Sequence, residues 1–358
     1  MKNTIIIFVA VLFFGVNYKM VAGTWTALDV PGAVQTEVYG ISGSNIVGNY
    51  RPASEPVNYY GFFYNNGNWT QFNPWLYGIS GSNIVGLVPN TLYGALYDWK
   101  TWTDLNVPGA IATYPSGISG DKIVGYYQQN ASSSGEFSFL KDGTNYITNL
   151  SMPNALSTVA IGIDGSNIVG AYFGCNVVYG FLYNMNSASC TTFSAPWVTN
   201  DPLPFGIWCE TMAYGISGTN IVGVYYNTTD YISHGFLLSG TKNWTSLDAP
   251  GAKNGTSVRG ISGDKIVGYY VDANTNHHGF IYTISAPAVP AVASKINISN
   301  KTVTVSFNGV PGNIYGVEST TNFVHWSPVA PVVVSSNSVG VYSEHVSGSN
   351  RYYRLVSD

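Results

Sequence analysis

Six residues at one recurring position of the sequence carry the chemistry best suited to ligand binding. Each of them directly precedes a copy of Gly-Ile-Ser-Gly, or of Gly-Ile-Asp-Gly in one case. They are Tyr39, Tyr77, Ser116, Ile161, Tyr214 and Arg259. Around a common axis, three tyrosine rings and one guanidinium can stack against a sugar or a planar ligand. The alternative is that each tyrosine only fills space in the core.

Arg259 is the strongest single candidate of this set. The repeated part of the chain contains only two arginines, Arg51 and Arg259. Arginine is seldom fully buried unless it is paired. We therefore expect Arg259 to contact a ligand, or to form an ion pair with Glu37 or Glu210.

A long segment between two repeats supplies further candidates. Residues 195–213 interrupt the regular spacing and contain Trp197, Trp208 and Glu210. We assign this segment to the loop face, which carries the loops between second and third strands and the crossings between repeats. Variable loops on a rigid scaffold are where binding residues usually lie, so these three residues join the candidate ligand-binding set. The alternative is that these surface loops have diverged without a function.

Acidic residues in the predicted loops raise the question of catalysis. The acidic residues on the loop face are Glu37, Glu55, Asp201, Glu210, Asp230 and Asp272. A glycoside hydrolase needs two opposed carboxyl groups, and the spacing of these residues singles out no pair. We assign no catalytic residue, and the sequence favours a protein that is not an enzyme.

The histidines form no metal or nucleophile set. His234 and His278 occupy a repeat position that holds tyrosine in other copies, which indicates a role in packing. We expect no metal site and no cofactor.

Three cysteines lie close together in the sequence, at Cys175, Cys190 and Cys209. In a repeated sheet, Cys175 and Cys209 fall in connections on the same face, so they can pair and staple the long segment. Cys190 takes the place of a tryptophan in other copies and is expected to be a small buried hydrophobe. The alternative is three free thiols.

A repeat positions all these residues. The sequence Gly-Ile-Ser-Gly-x-x-Ile-Val-Gly, with Asp for Ser in the fourth copy, begins at Gly40, Gly78, Gly117, Gly162, Gly215 and Gly260. Each copy carries short segments rich in β-branched and aromatic residues, bounded by Gly, Asn, Asp and Ser, which is typical of strands joined by tight hairpins. Four antiparallel strands in roughly 40 residues, repeated radially, indicate a β-propeller blade.

The two ends of the repeat array complement each other. The sixth copy reaches Pro287 without a fourth strand, whereas the segment from Trp25 to Ala33 matches the fourth strands that begin at Trp102 and Trp244. An N-terminal strand that completes the last sheet leaves no unpaired edge there. We therefore predict an all-β fold in which residues 24–284 form a six-bladed β-propeller closed by an N-terminal strand. A stacked solenoid is the alternative, but it would need polar capping repeats.

The N-terminus and the composition predict export. Residues 1–23 have the pattern of a signal peptide, because a lysine precedes a short apolar run that ends in small residues. An uncleaved anchor is the alternative, and no other stretch is apolar enough to cross a membrane. The formal net charge of −4 and the scarcity of arginine argue against a nucleic-acid partner. We expect a monomer that is secreted or associated with the cell surface.

The last part of the chain has a different character. Residues 285–293 are rich in proline and alanine and read as an extended linker. Residues 294–358 contain no copy of the repeat and alternate apolar and polar residues in several short runs. This pattern predicts a small β-sandwich.

Two resemblances to known families agree with this organisation. Through Gly-Ile-x-x-x-x-x-Ile-Val-Gly-x-Tyr and Leu-Asp-x-Pro-Gly-Ala, residues 24–283 resemble the HAF-type extracellular repeats of secreted bacterial proteins. The segments Tyr315–Trp326 and Arg351–Arg354 resemble a fibronectin type III-like module. The first resemblance implies a propeller fold and no defined activity.

The sequence therefore predicts a secreted, non-catalytic binding or scaffolding protein. Its loop face is expected to bind a glycan or an extracellular protein. The alternative is a polysaccharide-active hydrolase or lyase with carboxylates on the loop face of the propeller.

Overall fold

The computed structural model shows an all-β protein. It describes residues 23–357 except 56, 89–90, 130–135, 149, 154, 175–176, 199–208, 227–229, 231, 241, 285–291, 309–313, 323, 336–337 and 346–350. The described residues form strands, turns and bends, and none of them belongs to a helix that could cross a membrane. They fall into two compact units, Gly23–Ile284 and a C-terminal unit that begins at Ser285.

The first unit consists of repeated four-stranded antiparallel groups, which we number sheets I to VI in chain order. Sheet I contains β2 (Ala33–Ser42), β3 (Asn45–Pro52), β4 (Tyr60–Asn65) and β5 (Asn68–Phe72). Sheet II contains β6 (Trp75–Ser80), β7 (Asn83–Val88), β8 (Tyr93–Tyr97) and β9 (Trp102–Leu105). Sheet III contains β10 (Ala112–Ser119), β11 (Lys122–Gln128), β12 (Phe137–Asp142) and β13 (Asn145–Thr148).

The second half of the unit repeats the pattern. Sheet IV contains β14 (Ser157–Asp164), β15 (Asn167–Phe173), β16 (Val177–Asn184) and β17 (Ser189–Phe193). Sheet V contains β18 (Cys209–Ser217), β19 (Asn220–Tyr226), β20 (Ser233–Ser239) and β21 (Asn243–Leu247). Sheet VI contains β22 (Thr256–Ser262), β23 (Lys265–Val271), β24 (His277–Ile284) and β1 (Gly23–Ala27). A short parallel pairing of β16 with β18 joins sheets IV and V into one eight-stranded sheet.

The inner strands of these sheets contact one another in series. Strand β2 contacts β6, β6 contacts β10, β10 contacts β14, β14 contacts β18, β18 contacts β22, and β22 contacts β2. Hydrophobic clusters fill the space between neighbouring sheets, as where Val47 of sheet I packs with Leu76 and Ile84 of sheet II. Repeated four-stranded sheets that pack face to face through their inner strands make the fold propeller-like.

The serine or aspartate at the third position of the signature links neighbouring sheets, which explains why it recurs in every copy. The turn after β2 places Gly43 at a φ of 62°, and the other five signature turns also hold glycine at positive φ. The side chain of the residue before each such glycine accepts a hydrogen bond from the turn of the next sheet. The donors and acceptors are Gly81 N to Ser42 Oγ, Gly120 N to Ser80 Oγ, Gly165 N to Ser119 Oγ, Gly218 N to Asp164 Oδ2, Gly263 N to Ser217 Oγ and Gly43 N to Ser262 Oγ. Asp164 of the fourth copy therefore accepts the same hydrogen bond as the serines of the other copies.

The N-terminal strand is the outermost strand of sheet VI. Strand β1 pairs antiparallel with β24, with Trp25 opposite Tyr282. The Trp25 ring lies 4.8 Å from the rings of both Phe280 and Tyr282. Beyond β1, Leu28 is buried in a cluster that also contains Val38 of sheet I. The first residues of the unit thus pack against its last strand and its first sheet.

The C-terminal unit contains two three-stranded antiparallel sheets. One consists of β25 (Val292–Ser299), β26 (Thr302–Asn308) and β29 (Val339–His345). The other consists of β27 (Ile314–Thr320), β28 (Ser327–Val333) and β30 (Tyr352–Ser357). Val303, Val305 and Tyr342 of the first sheet form one buried cluster with Val317 and Tyr353 of the second. The unit is a small sandwich with its core between the sheets.

Two predictions from the sequence are wrong at the level of the strands. Glu210 was expected in the loop of residues 195–213, but it lies within β18, as Glu37 lies within β2, because the inner strands extend several residues before the signature. Cys190 was expected to be buried, but it is an exposed free thiol with Sγ 3.0 Å from Sδ of Met152. Its strand, β17, is bonded to β16 alone, so one of its edges has no neighbour in the described sheet.

The seam between β1 and the rest of the unit is open to a direct test. We expect Leu28→Ala to lower the free energy of unfolding by about 2–5 kcal/mol, the usual cost of truncating a buried leucine. Thr26→Ala, at an exposed position of β1, should change the free energy of unfolding by less than about 0.5 kcal/mol. Urea denaturation of both variants measures the difference, and equal stability of the two would argue against a packed seam.

A histidine adds a pH-dependent contact at the same seam. His278 of β24 lies 2.9 Å from Asp29 through Nδ1 and 3.5 Å from Asp272 through Nε2. Burial lowers the pKa of His278, but the hydrogen bonds and charges of Asp29 and Asp272 outweigh burial and raise it above the ordinary 6.5. The folded state thus favours the protonated ring. The stabilisation that His278 provides is fully present below its pKa in the unfolded state. It is lost as pH rises through its pKa in the folded state.

We therefore expect His278→Gln to destabilise the protein more at about pH 5.5 than at about pH 8.5. The measurement is the free energy of unfolding of both proteins at the two pH values. His325→Gln, at an exposed position of the C-terminal unit, serves as the control. A loss for His278→Gln that is equal at the two pH values would show that the Asp29 contact does not depend on protonation.

Candidate functional site

Each inner strand contains a β-bulge at the same place. The pairing register of β2 with β3 shifts between Val38 and Gly40, which leaves Tyr39 without a partner. The same shift occurs in β6, β10, β14, β18 and β22. The residues left out of register are Tyr39, Tyr77, Ser116, Ile161, Tyr214 and Arg259. A bulge turns its extra side chain away from the regular alternation of the strand.

The glycine after each bulge allows neighbouring inner strands to approach closely. A Cβ atom at Gly40 would lie 2.8 Å from the carbonyl oxygen of Tyr77, and one at Gly78 would lie 2.8 Å from that of Ser116. No other residue fits at these positions without a shift of the backbone. The six bulge residues consequently meet at a narrow cavity of about 70 Å³, which is lined by residues of all six inner strands.

A wider cavity of about 300 Å³ is lined by the same six residues. The sequence predicted that these residues form a ring, and the structure brings all six together. They lie within the inner strands, which begin several residues before the signature. Tyr114 and Tyr126 also line the wider cavity, with their rings stacked at 4.8 Å. Sheets III, IV and V supply most of the remaining wall.

Burial raises the pKa of two tyrosine hydroxyls that line the cavity. It raises the pKa of Tyr77 to about 12, with a smaller contribution from the charge of Glu37. Burial likewise raises the pKa of Tyr126. At neutral pH both hydroxyls can therefore donate and accept hydrogen bonds.

Arg259 lies among three tyrosine rings. Its Cζ is 4.0 Å from the ring centroid of Tyr214, and it lies 5.5 Å and 5.4 Å from those of Tyr39 and Tyr269. One terminal nitrogen donates a hydrogen bond of 3.1 Å to the Tyr269 hydroxyl. Its Nε is buried and has no hydrogen-bond partner among the described residues. Aromatic faces attract a cation, but they leave this donor unsatisfied.

The ion pair expected for Arg259 is absent from the described part of the chain. Glu37 accepts hydrogen bonds from the Tyr39 hydroxyl at 2.5 Å and from Nδ1 of His277 at 2.6 Å. Burial raises the pKa of Glu37, but the bonds from His277 and Tyr39 outweigh it and hold the pKa below its ordinary value. Glu210 makes no ion pair there either, and burial raises its pKa. The prediction of a pair with Glu37 or Glu210 is therefore wrong.

Glu136 is a cavity residue that the sequence analysis missed. It immediately precedes β12 and is the only carboxylate among the described residues that line the wider cavity. Burial raises the pKa of its carboxyl group. In the repeat, Glu136 stands where sheet VI has His277, one residue before the position of His278. Comparison of the copies gives this alignment, but it does not show that the side chain of Glu136 lines the cavity.

The remaining predicted residues lie elsewhere. Trp197 is 36% exposed and stacks on Tyr225 at 4.9 Å, and it does not line the cavity. Trp208, Asp201 and Cys175 lie outside the described residues, as does the side chain of Cys209, so the predicted disulfide does too.

The other acidic candidates have local partners. Glu55 is bonded by Tyr60 and Asn58, and Asp230 by His234. Asp272 accepts bonds from the backbone of Asn274 and Asn276 within its own turn. The described residues contain no group of three or more His, Cys, Asp and Glu side chains that could hold a metal ion. Glu55, Asp230 and Asp272 are therefore each held by hydrogen bonds from residues near them in the sequence.

Comparisons with known proteins add a likeness of fold. No protein-family model matches the chain. No curated protein matches it in sequence. The solved structure of a subtype N11 neuraminidase-like protein of A/flat-faced bat/Peru/033/2010 is 11% identical, with a TM-score of 0.41, over 74% of this chain and 94% of that one.

Two further structures are similar at the same level. TolB from Acinetobacter baumannii is 10% identical, with a TM-score of 0.40, over 89% of this chain and 81% of that one. A Mycobacterium tuberculosis puromycin-hydrolyzing peptidase is 9% identical, with a TM-score of 0.41, over 79% of this chain and 60% of its own length. These similarities do not assign the activity of any of these proteins to this chain.

The carboxyl group of Glu136 gives a prediction about stability. Because folding raises its pKa, the native state disfavours ionisation, and stability falls as pH rises from the unfolded value of 4.5 through the folded pKa. We expect Glu136→Gln to raise the melting temperature at about pH 7 and to change it little at about pH 4.

Glu55→Gln is the matched control, with the opposite expected sign. The hydrogen bond from Tyr60 holds the pKa of Glu55 below 4.5. The ionised carboxylate of Glu55 therefore stabilises the fold above that pH, and this stabilisation is lost at lower pH. We expect Glu55→Gln to destabilise at neutral pH. Thermal denaturation at both pH values measures both variants, and a destabilising Glu136→Gln at neutral pH would mean that Glu136 supports the fold.

Proposed function

We propose that residues 23–284 form a six-bladed β-propeller that β1 closes, and that this propeller belongs with the HAF-type extracellular repeats. The series of six turn-to-turn hydrogen bonds supports it, since the bond from Gly43 to Ser262 joins the first turn to the sixth. The pairing of β1 with β24 also supports it. We assign the C-terminal sandwich to a fibronectin type III-like module and the protein to the outside of the cell.

We further propose that the propeller is a non-catalytic binding protein that holds a sugar ring in the wider cavity. The observation that carries this proposal is the convergence of one bulge residue from each inner strand on a single cavity. Tyr39, Tyr77, Tyr114, Tyr126 and Tyr214 line it together. Tyrosine presents an apolar ring face beside a hydroxyl that donates and accepts, and a sugar presents the same two kinds of surface.

The size of the cavity sets the length of the ligand. Ligand pockets commonly measure about 300–1,000 Å³, and this cavity of about 300 Å³ lies at the lower end. It accommodates one sugar ring, which suits a monosaccharide or the terminal residue of a longer glycan. The bulge residues with short or aliphatic side chains, Ser116 and Ile161, leave this space beside the tyrosines.

The distribution of carboxylates favours binding over hydrolysis. Glycoside hydrolysis uses two carboxyl groups that flank the scissile bond. Glu136 is the only carboxylate among the described residues that line the cavity, and Glu37, which does not line it, is bonded by His277 and Tyr39. A hydrolase or lyase would need a second acidic group at this wall.

A glycan array, followed by calorimetry with the retained glycans, tests the proposal. We expect Tyr114→Ala to weaken binding about tenfold, which corresponds to about 1.4 kcal/mol. Tyr172→Ala is the matched control, because Tyr172 stacks on Tyr179 at 5.3 Å as Tyr114 stacks on Tyr126, yet it does not line the cavity. Retention of no glycan would end the sugar-binding proposal, and cleavage of a bound glycan would establish the enzyme instead.

A further inference from the structure

The guanidinium of Arg259 lacks the partner that a buried arginine normally has. None of the described carboxylates lies within 4.0 Å of it, and its described hydrogen bond goes to the hydroxyl of Tyr269. Its Nε is out of contact with solvent and without an acceptor. A buried donor of a charged group that is left unsatisfied costs free energy. Because Arg259 lines the wider cavity, a ligand held there can supply the acceptor.

The charge of the cavity selects the kind of acceptor. Arg259 is the only cation among the described residues that line the wider cavity, and no lysine accompanies it. A single positive charge with several donors in one plane matches a carboxylate, which carries one negative charge and two coplanar oxygens. A phosphate monoester carries nearly two negative charges and would share the cavity with the carboxyl group of Glu136.

We propose that the ligand of this cavity is a carboxylated sugar, a hexuronate unit of an acidic polysaccharide. Its carboxylate accepts hydrogen bonds from the guanidinium of Arg259, and its ring packs against the tyrosines. This inference rests on the proposed sugar-binding function and adds the charge of the ligand to it. The Tyr214 ring, 4.0 Å below Cζ of Arg259, holds the guanidinium plane in place for such a contact.

Calorimetry on the full-length protein tests the inference with matched ligands. The probes are galacturonate and glucuronate oligosaccharides, their methyl esters and the corresponding neutral hexose oligosaccharides. We expect at least one uronate to bind at least tenfold more tightly than its methyl ester and its neutral counterpart. In Arg259→Gln this preference should disappear, and in Arg259→Lys it should fall because lysine keeps the charge without the planar pair of donors.

Arg51→Gln is the control variant. Arg51 is the other arginine of the first unit, lies 5.9 Å from the Tyr59 ring and does not line the cavity, so the preference for uronate should persist. The melting temperature of each variant is measured first. If Arg259→Gln does not fold, Arg259→Lys and the comparison of acid with ester in the unchanged protein still decide the question.

The outcomes separate the two proposals. Equal affinity for acid, ester and neutral sugar would overturn the carboxylate contact and leave the sugar-binding proposal standing. Absence of binding to every sugar would overturn both. Tight binding of acetate or succinate that equals the affinity for the uronate would show an anion site without sugar recognition, and this result would also overturn the inference.

Discussion

The close approach of neighbouring inner strands is the constraint on which the rest of this structure depends. A Cβ atom at Gly40, Gly78, Gly117 or Gly162 would stand within 2.8 Å of a carbonyl oxygen of the next strand. Glycine is therefore required where the strands meet, and the serine or aspartate two residues later links each turn to its neighbour by a hydrogen bond. The glycine of the signature thus recurs because a larger residue would clash with the neighbouring strand.

The same constraint determines where the variable residues go. Because the strand bulges directly before the glycine, the residue before it leaves the regular alternation and faces the cavity. The six repeats thereby bring tyrosine, serine, isoleucine and arginine side chains to one cavity. On one side of the cavity, Arg259 donates to Tyr269, whose ring stacks on His277. Glu37 in turn accepts hydrogen bonds from His277 and Tyr39. Open space remains toward sheets III, IV and V.

Repetition explains which features could be predicted from the sequence. The strands, the hairpins and the set of six bulge residues recur with the signature, so comparing copies within the chain reveals them. Tyr114, Tyr126, Tyr269 and Glu136 lie outside the recurring signature, so comparison of its copies does not show which of their side chains reach the cavity. The expected pair of Arg259 with Glu37 fails for a different reason. His277 and Tyr39 lie closer to that carboxylate, and sequence spacing carries no information on such competition.

The cavity differs from the rest of the unit in how its polar groups are satisfied. Many buried polar side chains elsewhere have partners, as where Ser138 bonds Thr158 and Ala160 and where Asn49 accepts from Leu76, although the buried Oδ1 of Asn106 has none among the described residues. At the cavity, a guanidinium nitrogen has no acceptor and a carboxyl group is held in an environment that disfavours its charge. An apolar pair at these two positions would remove both costs, so their presence is not explained by the stability of the fold. Natural proteins depart from such local rules chiefly at functional sites, and a ligand that accepts from Arg259 removes the first of these costs when it binds.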